Sequence, residues 1–207
     1  MQQDIFANSS RSEIVDLGDN AWLDIFPQWI ATAQARVLFN LLLQECQWEQ
    51  PAIRIAGRDL PIPRLQCWYG DKGAVLRYSG KSFPPHPWLK PLAELNMQLA
   101  TVCKRRFNSV LVNCYRDGSD SVGWHADDEP ELGEKPLIAS ISLGATRRFS
   151  LKHKFDQQQK TSRHIQLRDG DLVIMRGNTQ ANWVHAIQKT TSSVGPRINL
   201  TFRNIRC

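Results

Sequence analysis

His125 and Asp127, in Gly123-Trp124-His125-Ala126-Asp127-Asp128-Glu129, are the side chains best suited to hold a metal. In an extended strand, residues i and i+2 project from one face, so an imidazole and a carboxylate at this spacing converge on a point. A third ligand is available in His185, within the apolar run Asn182-Trp183-Val184-His185-Ala186-Ile187. Two imidazoles and one carboxylate form the facial triad of non-haem iron oxygenases, which leaves open positions for cosubstrate and oxygen. The same groups suit a zinc hydrolase that uses a bound water as nucleophile. His-x-Asp is also common by chance, so the rest of the chain must decide.

The C-terminal run Arg197-Ile198-Asn199-Leu200-Thr201-Phe202-Arg203 alternates polar and apolar residues. Arg197, Asn199, Thr201 and Arg203 therefore share one face of a strand, and the apolar residues share the other. Turned inward, a face with two arginines needs an anion. A dicarboxylate gripped by a guanidinium fork fits that need. An edge strand with solvated arginines would show the same pattern. Asn113 and Tyr115, two residues apart in Val110-Leu111-Val112-Asn113-Cys114-Tyr115, likewise share a face and can each donate to a carboxylate.

These side chains need a scaffold. Ala35, Leu38, Phe39, Leu42 and Leu43 fall at helical spacing and predict an amphipathic helix over Thr32–Cys46. A second helix is predicted over Trp88–Cys103, after the breaker Pro84-Pro85-His86-Pro87. Between them, residues 53–80 read as short strands and turns. From Phe107 onward the chain is almost wholly strand-like, in the segments Ser109–Arg116, Gly123–Ala126, Leu137–Ser142 and Arg147–His153, then His164–Leu167, Asp171–Arg176, Trp183–Ile187 and Arg197–Ile205. Short strands of this kind, separated by Gly, Asp and Asn turns, predict a mainly β fold with flanking helices, such as a jelly roll. Residues 1–20 are polar and aperiodic and read as a loose arm.

The 207 residues, 42% of them apolar, suit one structural domain. No run of eighteen apolar residues occurs, and the start, Met1-Gln2-Gln3-Asp4, has no basic segment leading into an apolar one. No membrane association and a cytoplasmic location are therefore expected, nucleoid-associated if the source is bacterial. Five scattered cysteines without a C-x-x-C pair argue against both disulfides and a zinc ribbon. Net charge is +6. Residues 1–24 carry five acids against Arg11 alone, so the remaining body holds 25 bases and 15 acids, a net +10. Such a body favours a polyanionic partner.

The ordered motifs Asn113-x-Tyr115-x-Asp117-Gly118, Gly123-x-His125-x-Asp127-Asp128-Glu129, Ile138-Ala139-Ser140-x-Ser142-Leu143-Gly144, His185 and Arg197-x-Asn199-x-Thr201-Phe202-Arg203 together resemble the AlkB family. These are Fe(II)- and 2-oxoglutarate-dependent dioxygenases that demethylate nucleic acid. The likeness covers about residues 50–206 and is greatest to the branch containing the human DNA-repair homologues. It implies a double-stranded β-helix core over residues 107–207, preceded by a nucleotide-recognition lid over residues 21–106. It also implies that His125, Asp127 and His185 hold iron. Asn113, Tyr115 and Arg197 would bind 2-oxoglutarate, Arg197 at its distal carboxylate, and Asn199, Thr201 and Arg203 would complete the pocket. Oxygen, iron and 2-oxoglutarate would hydroxylate an N-methyl group, which leaves as formaldehyde alongside succinate and carbon dioxide.

The substrate side is implied more thinly. Asp128 and Glu129 directly follow the metal carboxylate, where acids would favour cationic 1-methyladenine and 3-methylcytosine over normal bases. Tyr78 matches the position that stacks a flipped base. At Leu76 the relatives carry a tyrosine, so one polar contact is expected to be missing. Ala56 occupies the hairpin position where a duplex-preferring relative inserts a phenylalanine, and it is too small to fill a vacated base stack. The expected partner is alkylated DNA, single-stranded in preference to duplex, with RNA or protein as alternative substrates; a monomer is expected. The cluster Arg147, Arg148, Lys152, Lys154, Lys160, Arg163 and Arg168 is expected to contact phosphates. His86, His153 and His164 are expected to be surface residues without a role.

Overall fold

In the computed structural model, residues 12–55, 57–78, 81–156 and 161–206 are described. The first half of the chain forms β1 (Glu13–Gly18), β2 (Ala21–Phe26), α1 (Thr32–Glu45), β3 (Ala52–Ile55) and β4 (Arg58–Pro61). It continues through β5 (Leu65–Gly70), β6 (Leu76–Tyr78), β7 (Lys81–Phe83) and α2 (Lys90–Cys103). The second half runs through β8 (Ser109–Tyr115), β9 (Val122–His125), β10 (Ile138–Gly144), β11 (Arg147–His153) and β12 (Ser162–Leu167). It ends with β13 (Leu172–Gly177), α3 (Thr179–Asn182), β14 (Trp183–Ile187) and β15 (Arg197–Arg203).

Two antiparallel sheets carry the fold: a seven-stranded one in the order β1-β2-β13-β10-β15-β8-β5, and a four-stranded one in the order β12-β11-β14-β9. Period-two alternation sorts the side chains of the larger sheet. Val110, Val112, Ile141, Leu143, Ile198, Leu200 and Phe202 face α1 and α2, whose Ala35, Leu42, Leu92, Leu95 and Leu99 cover them. On the other face Tyr115, Ile138, Val173 and Met175 meet Phe149, Leu151, Trp183 and Ile187 of the smaller sheet. This is the expected jelly roll with helices packed outside it. All seven residues of β15 are buried, because it lies between β10 and β8 with the helices on one side and the smaller sheet on the other. The solvated edge-strand reading of its arginines is thereby excluded.

Three expectations are corrected. The loose arm ends sooner than residue 20, since β1 pairs with β2 and β2 pairs with β13. β1 is an edge strand with mostly exposed side chains, which is why it lacks a core-like pattern. The division at residue 106 does not separate a lid from the sheet, because β2 and β5, from the earlier segment, belong to the larger sheet. The paired hairpins β3–β4 and β6–β7 do stand apart from both large sheets. Within α1, Leu43 was expected on the apolar face and is 42% exposed, while Ala35 and Leu42 are fully covered.

Candidate metal centre and cosubstrate pocket

Neighbouring strands bring the histidines together. His185 on β14 pairs in register with His125 on β9, and their ring centroids lie 4.4 Å apart. Asp127 sits just beyond the end of β9, where its backbone is fixed from α3: its N–H donates to Gln180 Oε1 at 2.9 Å. Arg203 Nη2 donates to Asp127 Oδ1 at 2.6 Å. One ligand atom from each of His125, Asp127 and His185 lies within 4.8 Å of the others. Among the described residues, no other cluster of His, Cys, Asp or Glu converges in this way.

The electrostatics suit a cation. Burial, followed by the neighbouring charge of His125, pushes His185 down to about 3, so its imidazole is neutral and keeps a lone pair. Burial alone would raise the Asp127 carboxyl, but Arg203 and the two histidines outweigh it and hold the group below the usual carboxylate range. His125 Nδ1 lies 2.8 Å from Gly123 O, a contact in which it donates and leaves Nε2 to face Asp127. Asp127 Oδ2 and His185 Nδ1 are buried without a hydrogen-bond partner among the described residues. A carboxylate oxygen stranded beside two imidazoles is what a bound divalent ion would satisfy.

A cavity lined by the triad runs between the sheets and continues past it. Asn113, Tyr115, Arg197, Asn199, Thr201 and Arg203 all line it, as their shared alternation predicted. Register explains this, because Arg197 lies opposite Tyr115 and Asn199 lies opposite Asn113. Arg197 is 1% exposed, and its Nη2 donates to Ser142 Oγ at 2.9 Å. Its Nε and Nη1 have no partner among the described residues. Burial pulls its guanidinium down to about 10. A buried cation with two unused donors calls for an anion, and a carboxylate presents the matching fork. Asn199 and Thr201 are tied into the wall instead: Asn199 Nδ2 donates to Ser140 Oγ and Ile141 O, and Thr201 Oγ1 donates to Asn199 Oδ1.

Two contributors were not foreseen. Arg64 lines the cavity and donates from Nε to Asn113 Oδ1 at 2.9 Å, which occupies that amide oxygen. It comes from an aperiodic Ile-Pro-Arg segment before β5, so no pattern marked it. Gln180, which holds Asp127, lies in a single helical turn that the strand reading passed over. By contrast, Ser140 and Ser142 had a usable signal in the alternation of β10.

The substrate residues fare differently. Asp128 is exposed, and its carboxylate pairs with Lys154 Nζ at 2.7 Å. Glu129 is half-buried, and burial raises its carboxyl above the ordinary range. Neither lines the cavity around the triad. Leu76 and Tyr78 lie on β6, their side chains outside the described residues, as is Ala56 altogether.

The basic stretch is corrected in part. Arg148, Arg163 and Arg168 are exposed, but Arg147 is only 3% exposed and Lys154 is committed to Asp128. Lys152 lies 4.6 Å over the Trp124 ring, and Lys160 is outside the described residues. His153 is also better placed than expected, half-buried, 3.4 Å from Asp19 and edge-on to Trp183. His86 is half-buried against Tyr69, and only His164 is plainly exposed.

Comparison with known proteins bears on which chemistry this geometry serves. The family model of the 2OG-Fe(II) oxygenase superfamily matches residues 23–203. The DNA oxidative demethylase ALKBH2 of Arabidopsis thaliana is 35% identical, over 95% of this chain and 70% of that relative. Mouse alpha-ketoglutarate-dependent dioxygenase alkB homolog 3 is 38% identical, over 87% of this chain, and the chain spans 65% of its length. Mouse ALKBH2 is 36% identical, over 84% of this chain and 76% of that relative. The solved structure of OsALKBH1 shares the fold, with a TM-score of 0.62 at 19% identity over 88% of this chain and 97% of that one. With a buried His-Asp-His cluster beside an anion-seeking arginine, and a family match across nearly the whole fold, this chain belongs to the 2OG-Fe(II) oxygenase superfamily and is a dioxygenase related to ALKBH2 and ALKBH3.

Proposed function

We propose that the chain removes methyl groups from N-alkylated bases in DNA, with 1-methyladenine and 3-methylcytosine as substrates and formaldehyde, succinate and carbon dioxide as products. The observation that carries this reading is the cavity itself. It joins the His125, Asp127 and His185 cluster to the two unused donors of Arg197, in a chain 35% identical to a protein named as a DNA oxidative demethylase. His125, Asp127 and His185 would hold Fe(II), and 2-oxoglutarate would lie between them and Arg197. Bound there with oxygen, iron and 2-oxoglutarate supply the oxidising power that hydroxylates the methyl group.

The chain's own residues set the geometry. Arg203 fixes one oxygen of Asp127 and leaves the other toward the metal position. Arg197 would hold the distal carboxylate of 2-oxoglutarate, and Tyr115 and Asn113 line the same cavity with further donors. Phe149, Leu167, Met175 and Ile187 give the cavity apolar walls, which limit water around the reacting centre. Single-stranded DNA is the preferred substrate in this reading, because Ala56 is too small to replace a flipped base in the stack. The supporting test compares product release from matched single- and double-stranded DNA and RNA oligonucleotides that carry either lesion. RNA turned over faster than DNA would shift the substrate assignment and leave the chemistry intact.

A further inference from the structure

Arg147, expected among surface cations, is buried beside Tyr115, a residue that lines the cosubstrate pocket. It opens β11 of the smaller sheet and shares the inward face of that strand with Phe149 and Leu151. Its guanidinium donates to three carbonyls: Nη1 to Asp117 O at 2.9 Å, and Nη2 to Asp120 O at 2.9 Å and Gln188 O at 2.8 Å. Asp117 and Asp120 lie in the loop that follows Tyr115 on β8, and Gln188 follows β14, the strand of His185. One side chain therefore ties the loop after the cosubstrate strand to the end of a metal-bearing strand, from one sheet to the other.

The nearby Asp120 and Asp117 carboxylates offset its charge only in part, and neither accepts a hydrogen bond from it. All three acceptors are neutral, and the nearby Asp120 carboxylate is taken by Arg116, at 2.7 and 2.9 Å. Burial accordingly pulls the Arg147 guanidinium below its ordinary range. The Arg147 Cζ lies 5.7 Å from the centre of the Tyr115 ring, and the Arg197 Cζ lies 5.3 Å from the same ring. Tyr115 is 2% exposed and pairs in register with Arg197. Two buried guanidiniums thus share one aromatic ring at the end of the cavity, and one of them still has two unused donors. Like charges brought together in a region of low dielectric repel, and an anion bound at Arg197 relieves the repulsion.

We propose that Arg147 is a positioning residue for the cosubstrate. It holds Tyr115 and its loop in place, and its charge strengthens the grip of that end of the cavity on the distal carboxylate of 2-oxoglutarate. The proposal rests on the dioxygenase reading above, and it assigns to Arg147 a selectivity that a purely structural staple would not have.

The test is calorimetric binding of 2-oxoglutarate to the Ni(II)-loaded full chain, with no turnover required. It is run beside 2-oxopentanoate, which has a methyl group in place of the distal carboxylate. Arg147→Met removes charge and hydrogen bonds, and Arg147→Lys keeps the charge. In Arg147→Met, 2-oxoglutarate affinity should fall by about tenfold or more, with 2-oxopentanoate and methylated-oligonucleotide affinities held within about twofold. Arg147→Lys should fall between that variant and wild type. Should Arg147→Met fail to fold, Arg147→Lys decides: a loss of about threefold confined to the dicarboxylate supports the role. Equal 2-oxoglutarate binding by wild type and folded variants would overturn it, as would parallel losses for both acids. Wild-type protein that binds neither acid would overturn the dioxygenase reading and this inference with it.

Discussion

Asp127 is held at its backbone N–H by Gln180 and at Oδ1 by Arg203, which leaves Oδ2 for a metal. Outer partners of this kind commonly change metal affinity by about 10- to 100-fold, so Gln180→Ala should weaken Ni(II) binding by that order, measured by titration calorimetry. Wild-type affinity in that variant would show that Gln180 does not position the ligand. A second residue-scale prediction concerns Asp120, whose carboxyl is held below its usual range of 3.8 chiefly by the Arg116 hydrogen bond. A depressed carboxyl contributes stability above its unfolded value and loses it as pH falls through the folded value. Asp120→Asn should therefore be less stable than wild type at pH 7, with the gap closing below about pH 4, read from urea unfolding at both pH values. At this scale the sequence was legible where chemistry and alternation coincided, as at His125, His185, Arg197 and Tyr115. It was illegible where a side chain acts from an aperiodic segment, as Arg64 and Gln180 do. Arg147 falls between these cases: its spacing from Phe149 and Leu151 puts it on the inward face, yet the cations around it suggested a solvated surface.

Helices and interior strands were readable from period because tertiary burial enforces it. Arg147–His153 and Trp183–Ile187 appear with the bounds expected, and Thr32–Glu45 ends one residue early. β1 was missed because an edge strand has only one neighbour and little burial to impose a pattern. The turn between β12 and β13 carries the join between sheets and helix. Gly170 there has φ +82°, and an added Cβ would lie 2.1 Å from Ile30 O. Ile30 N–H also donates to Gly170 O at 3.0 Å, so this backbone has little room to shift. Gly170→Ala should destabilise the fold by about 1–3 kcal/mol or more, seen as a Tm several degrees lower. An unchanged Tm would mean that the turn relaxes freely.

For the molecule as a whole, the excess of bases outside residues 1–24 survives the correction at Arg147 and Lys154, with Arg148, Arg163 and Arg168 exposed along and beside β11 and β12. Oligonucleotide affinity should therefore fall as salt rises, with a log–log slope that becomes shallower in Arg148→Ala or Arg163→Ala. A slope of zero would remove phosphate contact from the account. Fold class and reaction class were legible because they depend on a few spaced side chains and on burial. Strand preference was not, because it depends on the hairpins β3–β4 and β6–β7 and on what they place against a substrate. The central claim is tested most directly by incubating the chain with Fe(II), 2-oxoglutarate and a single-stranded DNA oligonucleotide carrying 1-methyladenine, and measuring formaldehyde and succinate. Wild type should release both products, and His125→Ala and Asp127→Ala should show no turnover. Product from either variant, or none from wild-type protein that binds both iron and 2-oxoglutarate, would contradict the claim.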